Sequence, residues 1–230
     1  MHEAIREVHG VEIPEGEVEA AGRTDLDIAR SILELAGVDG ARVDERSGQL
    51  GEATARHYER LVPDDLTAFV APGIPDVLGE LSRRDDLVLS LVTGNLEPVA
   101  RAKLAAAGIG HHFAAGQGGF GSDAEDRAEL PRIARERAGA LRARHAAGGH
   151  PAPRGSPPAR RRPGAERDAF PRERTIVIGD TPRDIACARA DGVLVIAIAT
   201  GPFDAGHLGT ADRVVEEAAA LPAAIESLRR

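Results

Sequence analysis

Two aspartates, Asp180 and Asp184, stand four residues apart in Thr175-Ile-Val-Ile-Gly-Asp-Thr-Pro-Arg-Asp184, where a β-branched run ends in glycine and a helix start follows. Carboxylates carried round one strand-to-helix turn can face a common point, as a hard divalent cation such as Mg²⁺ requires. The same residue types also serve a plainer purpose, with Asp180 as the N-cap of the helix and Asp184 as a solvated first-turn acid. The spacing alone leaves both readings open. A second polar cluster, Thr93-Gly94-Asn95, ends the apolar run Leu87-Val-Leu-Ser-Leu-Val92. Its hydroxyl and turn amides suit a phosphate oxygen, and Arg127 could neutralise phosphate charge.

The elements that must position these groups fall into two kinds. Residues 1 to 62 read as helical throughout, with Ile28, Ile32 and Leu35 on one face and Gly37 as a stop. Between the first two helices lies Gly22-Arg-Thr-Asp25, where Thr24 or Asp25 could cap the helix that follows. The Pro and Gly cluster Ala71-Pro-Gly-Ile-Pro75 marks a junction, dividing the chain into a helical unit at 1–71 and an α/β unit at 72–230. In the second unit, strands are expected at 87–92, 175–179, 193–198 and 213–215, with a short one inside 113–121. Helices are expected through Val77 to Leu81, at 96–107, 123–141 and 221–228, and after Asp180 as far as Gly192. Alternating strands and helices imply an α/β fold with a doubly wound, Rossmann-like parallel sheet, whose ligands lie beyond the carboxyl ends of the strands. Residues 142–172 are rich in Pro, Arg and Gly and almost empty of large apolar side chains, so a disordered loop is expected there.

Composition narrows the function. A formal charge of -8 and an aromatic content of 3% argue against a nucleic-acid binder, which needs Lys and Arg for phosphates and rings for stacking. The basic run Arg160-Arg-Arg162 has no interleaved aromatic and reads as part of the loop. The single cysteine, Cys187, excludes an internal disulfide and a cysteine-based zinc site; it reads as core and fits a reducing cytoplasm. No apolar run reaches the ~18 residues of a membrane span. His111-His112 reads as solvated, and Gly116-Gln-Gly-Gly-Phe-Gly121 does not keep the spacing of a dinucleotide-binding loop.

Together these motifs resemble the haloacid dehalogenase superfamily, and within it the phosphoglycolate phosphatase-like branch, over nearly the whole chain. Leu91-Val-Thr93-Gly-Asn95 is similar to the family's second motif, whose strand-end Thr binds the transferring phosphoryl group. Gly179-Asp-Thr-Pro-Arg-Asp184, continuing into Ala188-Arg-Ala-Asp-Gly192, is similar to the fourth, whose acids hold Mg²⁺. Arg127 best matches the basic third motif, with Arg132 as the fallback. The helical unit resembles the family's cap domain and places Arg23, Thr24 and Asp25 where caps reach over the substrate.

The resemblance has one large gap. The family's first motif, a strand ending in Asp-x-Asp-Gly-Thr, precedes the cap and supplies both the nucleophile and the general acid and base; no residue here matches either. That strand is the central one in the family's sheet, between the strands ending in Thr93 and Gly179. Strands lie about 4.8 Å apart, so without it the neighbours stand roughly 10 Å apart or rearrange. A late start or a truncated gene is the expected explanation. The resemblance implies a Mg²⁺-dependent phosphatase for a small phosphomonoester such as 2-phosphoglycolate, with no nucleic-acid or membrane partner. These 230 residues are expected to be inactive for want of the nucleophile. The alternative is a non-catalytic module that keeps the phosphate and metal cradle for binding or interaction.

Overall fold

The computed structural model describes residues 1–16, 18–146 and 169–229. The helical unit consists of α1 (His2–His9), α2 (Asp25–Leu35) and α3 (Gly40–Leu61). Their facing sides, including Ile5, Ile32, Leu33, Val43 and Leu50, form one closed apolar cluster. Two expectations for this unit need correction. Residues 10–24 are not helical, because Gly10 and Gly22 take left-handed backbone angles and Pro14 lies between them. In α2 the buried set is Ala29, Ile32 and Leu33, an i, i+3, i+4 stripe, and Leu35 falls outside it at 61% exposed.

The second unit contains α4 (Ile74–Leu81), β1 (Val92–Thr93), α5 (Glu97–Ala106), β2 (Gly119–Phe120), α6 (Leu130–Ala146), β3 (Ile176–Gly179), α7 (Pro182–Asp191), β4 (Leu194–Ile198), β5 (Arg213–Val215) and α8 (Leu221–Leu228). All pairings are parallel, and the strands form two sheets, β1-β2 and β3-β4-β5, in place of one doubly wound sheet, with the division falling between the strands that end in Thr93 and Gly179. The physical reason is local: among the described residues no strand lies beside β1 or β3 on their outer edges, so both are edge strands. Only the last two residues of the run around 87–93 become strand, since a strand needs a neighbour for its backbone groups.

The β3-β4-β5 sheet is covered on both faces. Ile196 and Ile198 point to α4 and α8, while Val195 and Ala197 point to α7 and Leu208, the period of two that a buried strand imposes. Helix α6 packs on β1 and β2. It begins at Leu130, after a turn of 3₁₀ helix at Arg127–Glu129, later than the expected 123. It also extends to Ala146, so residues 142–146 are ordered helix and not loop. The opposite flank is fixed as well: buried Arg135 makes a two-pronged pair with Asp191 and donates to the Phe170 carbonyl at 2.7 Å. Arg172 adds a 2.7 Å bond to the Asp191 carbonyl. The rest of the expected loop, 147–168, lies outside the described residues. Among the described residues no helix is long and apolar enough to cross a membrane.

Candidate phosphate and metal site

The carboxyl end of β1 is a packed turn. Gly94 has no room for a side chain, because a Cβ would overlap the Arg23 carbonyl. Gly121 is equally constrained against the Gly94 carbonyl. The Gly94 carbonyl accepts from the Asp25 amide at 2.7 Å, and the Asn95 carbonyl from the Gly121 amide at 2.9 Å. The Thr93 hydroxyl oxygen accepts from the Asn95 amide at 3.2 Å, which leaves its proton for a ligand oxygen. Asn95 is tied on both sides, donating to Asp25 at 3.0 Å and accepting from Lys103 at 2.9 Å. Its side chain is a brace for the turn. Lys103, on α5, was not singled out by sequence; its signal is its position eight residues, about two helical turns, beyond Asn95.

Asp180 and Asp184 follow β3. Gly179 makes space for the Asp184 carboxylate, which a Cβ would overlap. Thr181, and not Asp180, is the N-cap of α7, in a reciprocal capping box with Asp184. Asp184 is 6% exposed, so neither part of the plainer reading, Asp180 as cap and Asp184 as solvated acid, describes the fold. One Asp184 oxygen accepts from the Asp180 amide, the Thr181 amide and the Thr181 hydroxyl at 3.1, 3.0 and 2.8 Å. The other accepts from Arg127 at 2.5 Å. The Arg127 Nε is buried with no partner.

Asp180 differs from its neighbour. Its carboxylate lies against Gly201, where a Cβ would overlap it, a glycine with no sequence signal beyond its place after β4. Burial, and then the charge of Asp184, push its carboxyl above the ordinary range. A divalent cation would relieve that repulsion. Mg²⁺ needs only one or two carboxylates, completing its shell with water and phosphate oxygens. The donor set therefore fits such an ion as a two-acid site, with Asp180 as the open ligand and Asp184 sharing an oxygen with Arg127. No cluster of three or more His, Cys, Asp or Glu suited to a metal occurs among the described residues.

The loop Gly22–Asp25 joins these two halves. A Cβ on Gly22 would meet the Thr181 hydroxyl and the Arg183 side chain, while Arg23 and Asp25 contact the β1 turn. Thr24 is fully buried; it caps α2 by accepting from the Asp27 amide at 3.1 Å and donates to the Glu125 carbonyl at 2.6 Å. Asp25 also accepts from the Leu96 amide at 2.8 Å. Arg23, just before α2, is committed to that helix, to both Asp27 oxygens at 2.6 and 2.5 Å and to Ser31 at 2.7 Å. Arg127, Arg183 and Arg23 line one cavity of about 500 Å³ together with Gly22, Asp27 and Glu125. Arg183 is the most open of the three, with 47% of its side chain exposed, and sequence reading passed over it because it lies inside the acid motif. Arg132 does not line this cavity: it pairs with Glu129 in the preceding 3₁₀ turn and with Glu136 on α6. Cys187 lines the cavity wall but is buried, and that burial raises its thiol pKa.

The Gly22–Asp25 loop thus links the helical unit to the ends of β1 and β3. No curated protein matches the chain. The model of the haloacid dehalogenase-like hydrolases matches residues 2–189, across both units and both motifs, and the chain belongs to that family.

Proposed function

We propose that the chain forms the phosphate- and Mg²⁺-binding half of a phosphomonoesterase for a small phosphorylated metabolite, 2-phosphoglycolate being a fitting candidate, and that these 230 residues bind without turning over. The observation that carries the reading is the Gly22–Asp25 loop, which touches both the Thr93-Gly94-Asn95 turn and Thr181 with Arg183. The Gly22–Asp25 loop therefore spans the distance between the proposed phosphate cradle and the proposed acid pair. In this reading Thr93 donates its hydroxyl proton to a phosphoryl oxygen, Arg127 and Arg183 balance its charge, and Asp180 with Asp184 holds the cation. When bound, Mg²⁺ supplies charge neutralisation at a phosphate oxygen.

Hydrolysis by way of a covalent intermediate needs an acid free to attack and a second to move a proton. The acids at this face have other tasks: Asp25 holds Asn95 and Leu96, and Asp184 closes the capping box and pairs with Arg127. The saturation of Asp184 also favours a second reading, a binding or interaction module of the same fold that never cleaves its ligand. Either way Asp180 is the ligand the cation requires. Mg²⁺ at about ten times its Kd is expected to raise Tm by roughly 3–6 °C, and Asp180→Asn to abolish the shift. A variant that responds as the parent does would remove Asp180 from the site.

A further inference from the structure

Lys103 is the one lysine of a chain with 28 arginines. Several of those arginines grip both oxygens of a carboxylate, as Arg135 grips Asp191 and Arg137 grips Asp123, the two-pronged pairing that a planar guanidinium favours. Lys103 meets different partners. Its ammonium donates to the Asn95 side-chain oxygen at 2.9 Å and stands 5.4 Å from the centre of the Tyr58 ring on α3, whose negative face attracts a cation. A residue of α5 is thus tied at once to the turn after β1 and to the helical unit.

The Asn95 amide stands between two groups that together allow it one orientation. The Asp25 carboxylate can only accept and the Lys103 ammonium can only donate, so Nδ2 points to Asp25, at 3.0 Å, and Oδ1 to Lys103. Asp25 in turn receives the Leu96 amide at 2.8 Å and gives its own amide to the Gly94 carbonyl at 2.7 Å, while the Asn95 backbone amide reaches the Thr93 hydroxyl oxygen at 3.2 Å. We propose that Lys103 is the positioning residue of the Thr93–Leu96 turn and that the position calls for an ammonium: through Asn95 it holds Asp25, the docked loop and the Thr93 hydroxyl in register for a phosphate oxygen. A guanidinium at 103 would reach past Asn95 and take the Asp25 carboxylate with both arms, leaving the Asn95 oxygen bare and the turn without its tie. The ammonium, a point charge with three donors, serves Asn95 and Tyr58 and leaves Asp25 to the loop. The inference rests on the reading of this turn as a phosphate cradle.

The test compares the parent chain with Lys103→Arg and with Lys103→Cys, the latter before and after 2-bromoethylamine, whose aminoethyl group joins the thiolate sulfur as bromide leaves and so restores an ammonium. The parent, whose one cysteine, Cys187, is buried, is treated alike as the control. Two quantities are read: binding of inorganic phosphate in Mg²⁺, and exchange rates of the Asp25, Asn95 and Leu96 backbone amides and the Asn95 side-chain amide. Lys103→Cys is expected to weaken phosphate binding about tenfold, the worth of one hydrogen bond to a charged group, and to speed exchange at these amides. Aminoethylation should recover most of both, and Lys103→Arg neither. A role in stability alone would lower Tm and leave phosphate binding unchanged. Lys103→Met, which keeps the apolar stem, serves if the cysteine variant does not fold. Binding and exchange equal to the parent in the variant without the ammonium, or full recovery with arginine, would overturn the proposal. No phosphate uptake by the parent would sink the cradle reading alone, and the exchange rates then decide for or against Lys103.

Discussion

Arg23 and Arg183 line the same cavity but are held to different degrees. Arg23 is held by Asp27 and Ser31, so its removal strands a carboxylate and loosens the docked loop; Arg183 is half open and faces the cavity. Arg23→Ala is therefore expected to cost about 1–3 kcal/mol of stability, as loss of a charged hydrogen-bond network does. Arg183→Ala should leave Tm within about 1 °C, as open surface changes do, and weaken p-nitrophenyl phosphate binding severalfold. Thermal melts beside a binding titration separate the two. His9 supplies a pH dependence. It ends α1, is 3% exposed, and neither ring nitrogen has a partner. Burial, and then the charges of Arg42 and Arg46 on α3, depress its pKa below the ordinary 6.5. Below 6.5 the unfolded chain takes up the proton and the folded one does not until lower pH, so stability falls with falling pH by up to about 1.4 kcal/mol per unit. Denaturant melts at pH 7.5 and 5.5 should show the loss, and His9→Leu should flatten it.

At the scale of elements, the loop between α1 and α2 touches the ends of both sheets. Its tightest contact is backbone on backbone, Arg23 against Gly94, which no rotamer change can relieve. Gly94→Ala is expected to push the loop off the β1 turn at a cost of about 1–3 kcal/mol, visible as faster amide exchange at Gly22–Asp25 and at the start of α2. Unchanged exchange there would mean that the loop is held by other contacts. Much of this was legible in the sequence. Thr24 was one of two named caps, the helix stops at Gly37 and Gly192 follow glycine chemistry, and β3, β4, β5 and α8 lie where apolar runs and breakers place them. The irregular stretch 10–24 was not legible as such, because Val11, Ile13 and Val18 mimic a helix face while they pack against the cluster of α1 to α3. Nor were the contacts of Gly201, Lys103 and Arg183 legible, since each depends on partners distant in sequence.

For the whole molecule, the two units close separately and meet at the strand ends, while the α/β unit itself stays divided. Apolar periodicity foretold parallel strands under helices, but not which strands would find neighbours, because pairing is a long-range choice that local pattern does not encode. The run at 87–92 shows this: it has the composition of a buried strand and pairs only at its last residue, with Thr93 next to it. The proposed function rests on Thr93 at the end of β1 and on Asp180 and Asp184, with its partner Arg127, after β3. The most direct test of that account is equilibrium binding of p-nitrophenyl phosphate to the 230-residue chain in Mg²⁺, with release of p-nitrophenol followed in the same samples. The expected result is Mg²⁺-dependent binding, lost in Asp180→Asn, with the ester recovered intact. Absence of Mg²⁺-dependent binding, or release of p-nitrophenol that Asp180→Asn abolishes, would contradict it.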